Sequence, residues 1–544
     1  MKKDNRLRKR VLIILCAVLL LVLGLAIWAF MSTRDRVTVN GIDLMSRGSV
    51  NIGNGKASYD SASGVLTLSN VCVENTNTRY MVYSTMDLTV RIDGMCMLYG
   101  RDYGIYAKGN VTIAGNGIVL INGKKAGVCS RGEIKLPQYA ECIISSDKAA
   151  LSSAGDMSVR DKSILTDRDG NEIGLSAVKD YLRVTPPVRL TYKTVGGTPL
   201  DIAEYRRGDS PGEYEATQRD GFVFAGWYTG NNYAEEADPA QPMEQDCVVY
   251  AMWDKDCDIV LKGIDVSAHQ KEIDWETAGK ADIDFVIARA GFRGYGETGS
   301  LNPDAYMDAN LDGAEKAGFR TGVYFYTQAT TPDEAREEAE LVLSLLDGRH
   351  LELPVFYDLE YAENADGYVG RLYNAGLDTD GLYGLCEAFC SRIREAGYTP
   401  MVYANCGFLS KGLGEKLDEN GIGVWLAHYT GHTYYEHRYE AWQYSSKGSI
   451  DGIEGGVDMN EYYIVLTEEE RAAREKAEAE KAAREAEEAE KAKEAEEKEA
   501  GEAEEAGKEA AEKPAATPQP TLAPPVTPAA TEEPTPKPTV KSIG

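Results

Sequence analysis

The sequence predicts a multidomain fold in which β-rich modules precede an α/β barrel. A twenty-residue apolar run near the N-terminus predicts a transmembrane helix. Short β-like segments that recur every 23 residues predict a solenoid. Strand-like and helix-like runs alternate over residues 257–466, which is typical of a barrel. The length of 544 residues leaves room for these modules, since domains commonly have about 100–200 residues.

The N-terminal thirty residues have the composition of a membrane anchor. Residues 1–10 carry six Lys or Arg side chains, and the apolar run at 11–30 carries no charge. Twenty helical residues span about 30 Å, the thickness of the hydrocarbon core. A cleaved signal peptide is the alternative, but its apolar region is usually shorter and ends at a small-residue site. We expect an uncleaved, single-pass anchor in the cell membrane, with residues 1–10 inside and the rest of the chain outside.

The net charge of -29 excludes one class of partner. A nucleic-acid binder needs a basic face that neutralises phosphates, and this composition does not supply one. We therefore expect no nucleic-acid ligand. Sugar polymers and neutral partners stay open, and the sequence makes no prediction of the oligomeric state.

Residues 37–186 form the predicted solenoid. Similar segments begin at Asp87, Asn110, Glu133 and Asp156, which are 23 residues apart. Each coil would stack its apolar positions on the next and build a core that no single coil has. The segment resembles right-handed parallel β-helix domains. Because no clear aromatic or acidic cluster is visible, we expect a rigid spacer, with a sugar-binding surface as the alternative.

Residues 188–254 predict a separate small module. They contain Gly221-Phe-Val-Phe-Ala-Gly-Trp-Tyr228 and resemble a listeria–bacteroides surface repeat, which implies a β-grasp-like fold. Trp227 and Trp253 could stack on sugars, but aromatic residues at such positions more often fill the core of a small domain. We expect the core role.

The C-terminal residues change in composition twice. Residues 467–513 are rich in Glu, Lys, Arg and Ala and have no Leu or Ile seam for a coiled coil. They predict a solvated single helix or a charged, disordered linker. Residues 514–544 are rich in Pro and Thr, which favours an extended tail.

Acidic residues follow the strand-like runs of the predicted barrel. In such barrels the working residues lie at the carboxyl ends of the strands. Asp358 and Glu360 are two residues apart, so on an extended strand they would point to one side, about 6.6 Å apart along the chain. A carboxylate pair of this kind can cut a glycosidic bond. The acids at strand ends are Asp265, Asp358, Glu360 and Asp458.

Seven ordered blocks in this segment are similar to glycoside hydrolase family 25 muramidases. The resemblance implies an incomplete α/β barrel that hydrolyses the β-1,4 bond between N-acetylmuramic acid and N-acetylglucosamine in peptidoglycan, without metal or cofactor. The blocks are Gly263-Ile-Asp-Val-Ser-Ala-His-Gln270 with Ile273-Asp-Trp275, Phe285-Val-Ile-Ala-Arg-Ala-Gly291, Gly322-Val-Tyr-Phe-Tyr326, Tyr357-Asp-Leu-Glu360, Val402-Tyr-Ala-Asn405, Trp442-Gln-Tyr444 and Val457-Asp-Met-Asn460.

The resemblance also implies roles for the four acids. Glu360 matches the general acid, and Asp358 matches the partner that assists the anomeric centre, through the 2-acetamido group of the substrate. Asp265 and Asp458 match supporting carboxylates. A general acid must hold its proton near neutral pH, and the negative charges around Glu360 would raise its pKa in that direction.

Further residues near the strand ends are candidates for substrate binding. Arg289 would either hold a carboxylate in position or bind the lactyl or peptide acid of the substrate, and the sequence does not choose between these. Five dispersed histidines show no zinc spacing, so we expect no metal site. The alternative function is a catalytically silent wall-binding protein. The candidate binding residues are Tyr324, Tyr326, Tyr403, Trp442, Gln443 and Arg289.

Overall fold

A computed structural model describes residues 17–22, 35–73, 77–365 and 367–511. The chain divides into two units, one that ends at Val465 and one that begins at Leu466. Residues 17–22 are helical, and the rest of the anchor predicted at 11–30 lies outside the described residues. Within the described part of the chain, no helix has the length and apolar character needed to span a membrane.

Three sheets wrap around one apolar core and form the solenoid. Tyr103 pairs in parallel with Tyr80 on one side and with Ala126 on the other, so the 23-residue period is the register of the ladder. The strands of the three sheets, in spatial order, are Ala149–Ser153, Ala126–Ser130, Tyr103–Ala107, Tyr80–Ser84, Val37–Val39 and Ile42–Asp43; Met157–Ser158, Ile134–Lys135, Val111–Gly115, Leu88–Asp93, Val65–Ser69, Gly55–Asp60 and Ser49–Ile52; and Ile164–Thr166, Tyr181–Thr185, Glu141–Ser145, Ile118–Gly123, Met95–Gly100 and Cys72–Val73.

An antiparallel strand covers one of the three sheets at the first coil and one at the last coil of the solenoid. At the first coil, Val37–Val39 runs antiparallel to Tyr80–Ser84. At the last coil, Tyr181–Thr185 runs antiparallel to Glu141–Ser145, after a short 3-10 turn at Leu175–Ala177. An uncovered terminal strand would offer free N–H and C=O groups to another chain, and at these two edges the antiparallel strands occupy them.

The next module is a four-stranded sheet with its own aromatic core. Trp227 is 5% exposed and Trp253 is 8% exposed, and both indole N–H groups donate to backbone carbonyls of the same module. The prediction that these tryptophans are core residues is confirmed. The strands, in spatial order, are Ala203–Tyr205, Val188–Lys193, Cys247–Lys255 and Phe222–Tyr228.

Eight strands then form a closed barrel. We number them β1 (Ile259–Val266), β2 (Phe285–Arg293), β3 (Arg320–Tyr326), β4 (Val355–Asp358), β5 (Pro400–Asn405), β6 (Gly423–Ala427), β7 (Ala441–Gly448) and β8 (Val457–Ile464).

The ring of strands closes because β1 pairs with both β2 and β8. The strand ring is closed, but the barrel is incomplete in its helices, since no helix lies between β6 and β7 or between β7 and β8 in this described stretch of the chain. A second departure from a regular α/β barrel is β8, which runs antiparallel to both of its neighbours.

Helices and short strands surround the barrel. The helix Pro332–Leu346 begins where Thr331 accepts a hydrogen bond from the backbone N–H of Glu334, and a proline occupies its first turn. The other helical segments are Trp275–Ala278, Met307–Lys316, Arg371–Ala375, Thr379–Glu395, Cys406–Phe408, Leu409–Leu413 and Gly414–Glu419, and the short strands are Leu301–Pro303, Ala362–Asn364 and Gly367–Val369.

The described part of the second unit contains one helix, over Glu468–Ala511. Thr467 and Glu470 form a reciprocal capping box at its start, with hydrogen bonds of 3.3 and 2.8 Å between side chain and backbone. Ion pairs at i,i+4, such as Arg474 with Glu478, run along its exposed surface. Of the two alternatives for this segment, the structure has the helix; the tail at 514–544 lies outside the described residues.

Candidate active site

The alternation of side chains along the barrel strands separates an inner and an outer layer. Inward-facing Phe285, Phe356, Met401 and Trp425 fill the interior with apolar volume. Toward the carboxyl ends of the parallel strands the same inward positions become polar, which is where barrel enzymes hold their reacting groups. These positions are Asp265, Arg289, Tyr324, Tyr326, Asp358, Tyr403 and Gln443.

Asp265 is the most highly bonded of the four acids. It is 6% exposed, and its Oδ2 accepts hydrogen bonds from Gln443 Nε2 at 2.8 Å and Asn460 Nδ2 at 2.9 Å. Burial, followed by the charge of Asp458, raises the pKa of Asp265 to about 7, although the two amide donors favour its ionised form. These bonds hold the carboxylate in one orientation.

Asp458 lies opposite Asp265 on β8 and is partly buried. Burial raises its pKa, and a hydrogen bond with Asp265 opposes that shift. Two neighbouring carboxyl groups can share a hydrogen bond only when one of them carries a proton. Below a pH of about 7 the raised pKa of Asp265 favours one proton on this pair, between the first and last strands of the barrel.

Asp358 ends β4 and lies deep in the mouth of the barrel. It is 6% exposed, and no described residue donates a hydrogen bond to its Oδ1. Burial raises the pKa of Asp358 well above its ordinary value, the charges of Glu360 and Asp265 add to the shift, and Arg289 opposes it. The site therefore contains a buried acceptor without a donor from the described part of the chain.

Glu360 follows two residues after Asp358, just past the end of the strand. Leu359 between them packs in the outer core, so the alternation continues beyond β4 and keeps both acids on the inner side. Burial, followed by the charges of Asp458 and Glu363, raises the pKa of Glu360 to about 7. Near neutral pH a large fraction of Glu360 is therefore protonated, as a general acid requires.

The inward tyrosines surround these acids, with Asp358 paired in register to Tyr326 on one side and Tyr403 on the other. The hydroxyl of Tyr403 donates to Gln443 Oε1 at 2.8 Å, and Gln443 in turn donates to Asp265. Burial raises the pKa of Tyr403 and of Tyr326 well above the ordinary value, so both keep their hydroxyl protons.

Tyr324 also faces inward, and its ring meets Trp425 edge to face at 6.4 Å. Burial, followed by the charge of Asp265, raises the pKa of Tyr324.

Trp442 does not face the interior of the barrel. It points to the opposite side of β7 from Gln443, packs in the core between strands and helices, and donates to the carbonyl of His428 at 2.8 Å. The structure does not bring Trp442 into the inner layer, because adjacent strand residues face opposite sides.

Arg289 holds a carboxylate of the protein. Its Nε donates to Asp304 Oδ2 at 2.7 Å, and the Asp304 side chain is fully buried. Asp304 also accepts backbone N–H groups from Ala268 and Tyr306, so it ties the loop after β1 to the residues after strand Leu301–Pro303. Of the two alternatives for Arg289, the structure shows the carboxylate-holding contact.

A buried polar network supports the mouth from behind. Glu338 is fully buried and accepts hydrogen bonds from Arg293 Nε and Thr327 Oγ1, both at 2.7 Å, and from Tyr357 Oη at 2.8 Å. Burial raises the pKa of Glu338 to about 7, and the bonded arginine opposes the shift. The residues Thr327 and Tyr357 adjoin inward-facing positions, so this network fixes the ends of β3 and β4.

The sequence analysis did not single out several residues of the site. Asn460 was detectable in principle, since it lies two residues after Asp458 on the same face of β8. Tyr429 and Asp304 lie on loops that carry no such signal, and Tyr429 donates to Gln443 Oε1 at 2.8 Å. Gln328 is fully buried, and its Nε2 donates to the backbone carbonyl of Glu360 at 3.3 Å.

No metal geometry accompanies these acids. Within the ranges that the structure describes, no group of three or more His, Cys, Asp or Glu side chains is arranged to hold a metal ion.

Comparisons with known proteins identify two of the modules. Residues 264–453 match the family described as Glycosyl hydrolases family 25, and residues 189–252 match the Listeria-Bacteroides repeat domain. Over 203 residues the chain is 26% identical to the "Autolytic lysozyme" of Clostridium acetobutylicum. The aligned region is 37% of this chain and 56% of that protein. The chain is also 26% identical over 208 residues to the "Uncharacterized protein YegX" of Escherichia coli K12, covering 37% of this chain and 68% of that protein.

A solved structure with a similar region is that of the modular autolysin LytC from Streptococcus pneumoniae in complex with a synthetic peptidoglycan ligand. The identity is 24%, the TM-score is 0.33, and the likeness covers 45% of this chain and 57% of that one. The chain thus spans just over half the length of the first curated relative. Residues 264–453 constitute a domain of glycosyl hydrolases family 25, preceded by a Listeria-Bacteroides repeat domain at residues 189–252.

Proposed function

We propose that the barrel is an N-acetylmuramidase that hydrolyses the β-1,4 bond between N-acetylmuramic acid and N-acetylglucosamine in peptidoglycan. The family match and the similarity to an autolytic lysozyme support the substrate class. The observation that carries the proposal is the cluster of four carboxyl groups at the barrel mouth, in which Glu360 has a pKa of about 7.

Glu360 acts as the general acid. With a pKa of about 7 it holds a proton near neutral pH and can donate it to the glycosidic oxygen as the bond breaks. The hydrogen bond from Gln328 to the Glu360 carbonyl holds the backbone that carries this side chain.

Asp358 assists at the anomeric carbon through the 2-acetamido group of the substrate. Its buried Oδ1 receives no hydrogen bond from the described residues, and an acetamido N–H would supply the missing donor. That bond would favour the ionised carboxylate, whose negative charge stabilises the positive charge that develops in the transition state. The acetamido oxygen then attacks the anomeric carbon as the glycosidic bond breaks and Glu360 protonates the leaving oxygen. Water opens the resulting oxazolinium ring and gives its proton to Glu360, so two inversions retain the anomeric configuration.

Asp265 and Asp458 act as supporting groups. Their negative charges raise the pKa of neighbouring carboxyl groups, with Asp458 acting on Glu360 and Asp265 acting on Asp358. Gln443 and Asn460 hold Asp265 in place, so the charge stays where it has this effect.

Tyr324, Tyr326 and Tyr403 line the mouth and offer ring faces and hydroxyl groups to the sugars. Tyr326 lies in register beside Asp358, which supports a role for it next to the reacting bond. Gln443 connects Tyr403 to Asp265, so it orients the acid rather than the substrate. Arg289 holds the carboxylate of Asp304, so it too orients a group of the protein rather than the substrate.

The cellular location is part of this proposal. A basic segment at residues 1–10 and an uncharged apolar run at 11–30 support an anchor in the cell membrane with the barrel outside, facing the wall. Protease added to intact, wall-stripped cells should then destroy the barrel. Survival of the barrel until the cells are lysed would show the opposite orientation.

Digestion of purified peptidoglycan tests the activity directly. Mass spectrometry of the released fragments should find N-acetylmuramic acid at the new reducing ends. A reducing N-acetylglucosamine would show a different bond specificity. Intact glycan from several peptidoglycan types, with a folded protein, would favour a wall-binding role without catalysis.

A further inference from the structure

Four tyrosines form a compact aromatic grid on the outer face of one solenoid sheet. Tyr80 and Tyr83 lie on one strand, and Tyr103 and Tyr106 lie on the next, in register with them. Ring centroids are 5.5 Å apart for Tyr80 and Tyr103 and 6.0 Å apart for Tyr83 and Tyr106, with planes within 20° in both pairs. The expectation that the solenoid has no aromatic cluster is therefore wrong.

The grid faces solvent and has a sharp edge. All four rings are partly exposed, whereas Val82 and Ile105 on the same strands point inward and are fully buried. In the next two coils, the positions in register with the tyrosines hold small residues. The aromatic surface thus covers only two coils of the ladder. The small residues in the next two coils are Ala126, Cys129, Ala149 and Ser152.

Basic side chains border the grid. In the described residues that precede the strands beginning at Tyr80, Tyr103 and Ala126, the basic side chains are Arg79, Arg101, Lys124 and Lys125 and the acid is Asp102. Arg79, Arg101 and Lys125 all pair with Asp102, and the described part of these turns carries more positive than negative charge.

Two arginines also contact the rings. The Arg79 guanidinium lies 5.2 Å from the centroid of the Tyr80 ring. On the opposite side of the grid, Arg131 Nε donates to the hydroxyl of Tyr106 at 3.1 Å.

This combination matches one ligand chemistry. The C–H faces of pyranose rings pack on aromatic rings, and tyrosine hydroxyls bond to sugar hydroxyls. The basic turns attract carboxylates, although the chain as a whole has a net charge of -29 and repels anionic polymers elsewhere. A glycan strand that carries lactyl and peptide carboxylates satisfies both requirements.

We propose that the tyrosine grid and its basic turns bind an anionic glycan strand, namely peptidoglycan. The choice of this polymer rests on the proposed function of the barrel, since both would then engage the same wall material. The solenoid is accordingly a second glycan-binding surface, which keeps the enzyme on its insoluble substrate between cleavage events.

Co-sedimentation with insoluble peptidoglycan tests the proposal. The full-length chain, purified in mild detergent, carries Glu360→Gln so that the glycan stays intact. The test variant combines Tyr80→Ala with Tyr103→Ala. The next two coils carry alanine at the same ladder position, as Ala126 and Ala149, so folding should be preserved. The dissociation constant should rise about tenfold or more, because two stacking rings are lost.

The matched control changes a tyrosine on another sheet of the same solenoid. Tyr99 is in register with Asn122, so Tyr99→Asn is compatible with the ladder and should leave binding unchanged. Arg79→Gln with Arg101→Gln should weaken binding and flatten its dependence on salt. Thermal melts of all variants check the fold.

Three results would overturn the proposal. The first is that the wild-type chain and the variant with both tyrosines replaced sediment with peptidoglycan to the same extent. The second is that the wild-type chain binds neutral chitin as tightly as it binds peptidoglycan. The third is a wild-type dimer that disappears in the tyrosine variant, which would make a second copy of the chain the occupant. Failure of the barrel to digest peptidoglycan would overturn only the proposed activity, because the binding difference between variants would still be measured.

Discussion

Asp265 and Asp458 are direct Cα partners in the antiparallel pairing of β1 and β8. The closure of the barrel therefore places two carboxyl groups side by side, and their hydrogen bond requires a proton. Burial is the main cause of the raised pKa of each. The free energy of unfolding therefore depends on whether this pair of carboxyl groups binds a proton.

The Asp265→Asn protein should be more stable than wild type in alkaline solution. The pKa of Asp265 is about 7 in the folded chain and ordinarily 3.8, so the folded state binds the proton more tightly. The stabilisation is complete below pH of about 4 and is lost as the pH rises through about 7. Asparagine keeps an oxygen for Gln443 and Asn460 and has no charge to bury.

Denaturant unfolding at pH 8 should show a gain of about 1–3 kcal/mol for Asp265→Asn, and at pH 4 the difference should vanish. Asp282→Asn serves as the control, since that side chain is 96% exposed. An unchanged difference between pH 4 and pH 8 would show that Asp265 does not bind a proton in this range.

Replacement of Glu360 by Gln should abolish hydrolysis and preserve glycan binding. The amide keeps the size of the side chain but has no proton to transfer, so the rate should fall by about 10²–10⁴-fold. The measurement is the rate of muropeptide release, with folding checked by thermal melts. A folded Glu360→Gln protein with a near wild-type rate would remove Glu360 from the mechanism.

The Glu363→Gln protein should lose activity at lower pH than wild type. Burial and the charge of Asp458 raise the pKa of Glu360 most, and the exposed Glu363 adds to the shift. Without that charge Glu360 releases its proton more readily, so the alkaline limb of the pH–rate profile, near pH 7 in wild type, should move to lower pH. Unaltered profiles in both proteins would assign the alkaline limb to a different group.

The Asp358→Asn protein should lose most of its activity, and the loss should depend on the substrate. If Asp358 Oδ1 accepts the acetamido N–H, the defect should be large on N-acetylated glycan and small on N-deacetylated glycan, which the wild-type protein should itself cleave slowly. Kinetics on the two glycans measure this difference. An equal fractional loss on both would argue against acetamido assistance, and so would inversion of the anomeric centre in the wild-type reaction.

Arg219→Ala in the repeat domain should destabilise the barrel. Arg219 donates to the carbonyls of Tyr435 and His437 at 3.0 and 2.8 Å, and burial lowers its pKa to about 10. Loss of the guanidinium leaves two partly buried carbonyls without this donor, at a cost of about 1–3 kcal/mol.

Thermal unfolding followed by loss of hydrolysis measures this cost. The control is Lys193→Ala, because Lys193 is exposed in the same domain. The contact also predicts that a fragment of residues 188–466 is more stable than one of 256–466. Equal melting temperatures for the two fragments would show that the domains are energetically independent.

The acids of the site could be predicted because they obey a local rule. Asp265 and Asp358 each end an apolar strand, and the parallel strands of a barrel bring such ends together. Trp442 could not be placed in the same way. One step along β7 separates it from Gln443, and the phase of the strand decides which of the two side chains faces inward.

The partners of the site residues depend on contacts between distant segments. Asp304 meets Arg289 because strand Leu301–Pro303 folds back on β2, a pairing that no local pattern encodes. The tyrosine grid has a similar origin. Tyr80 and Tyr103 share the 23-residue period, but only the three-dimensional coil puts their rings on one exposed face.

The ladder of the solenoid restricts how its length can change. Since Tyr80, Tyr103, Ala126 and Ala149 are paired in strict register, an insertion of 23 residues adds one complete coil and lengthens the stack by about 4.8 Å. An insertion of an odd number of residues within a strand turns buried positions outward, unless a turn absorbs it. The antiparallel ends are unaffected by whole coils between them. Tandem duplication of one coil is thus the smallest genetic step that extends this segment without breaking its core.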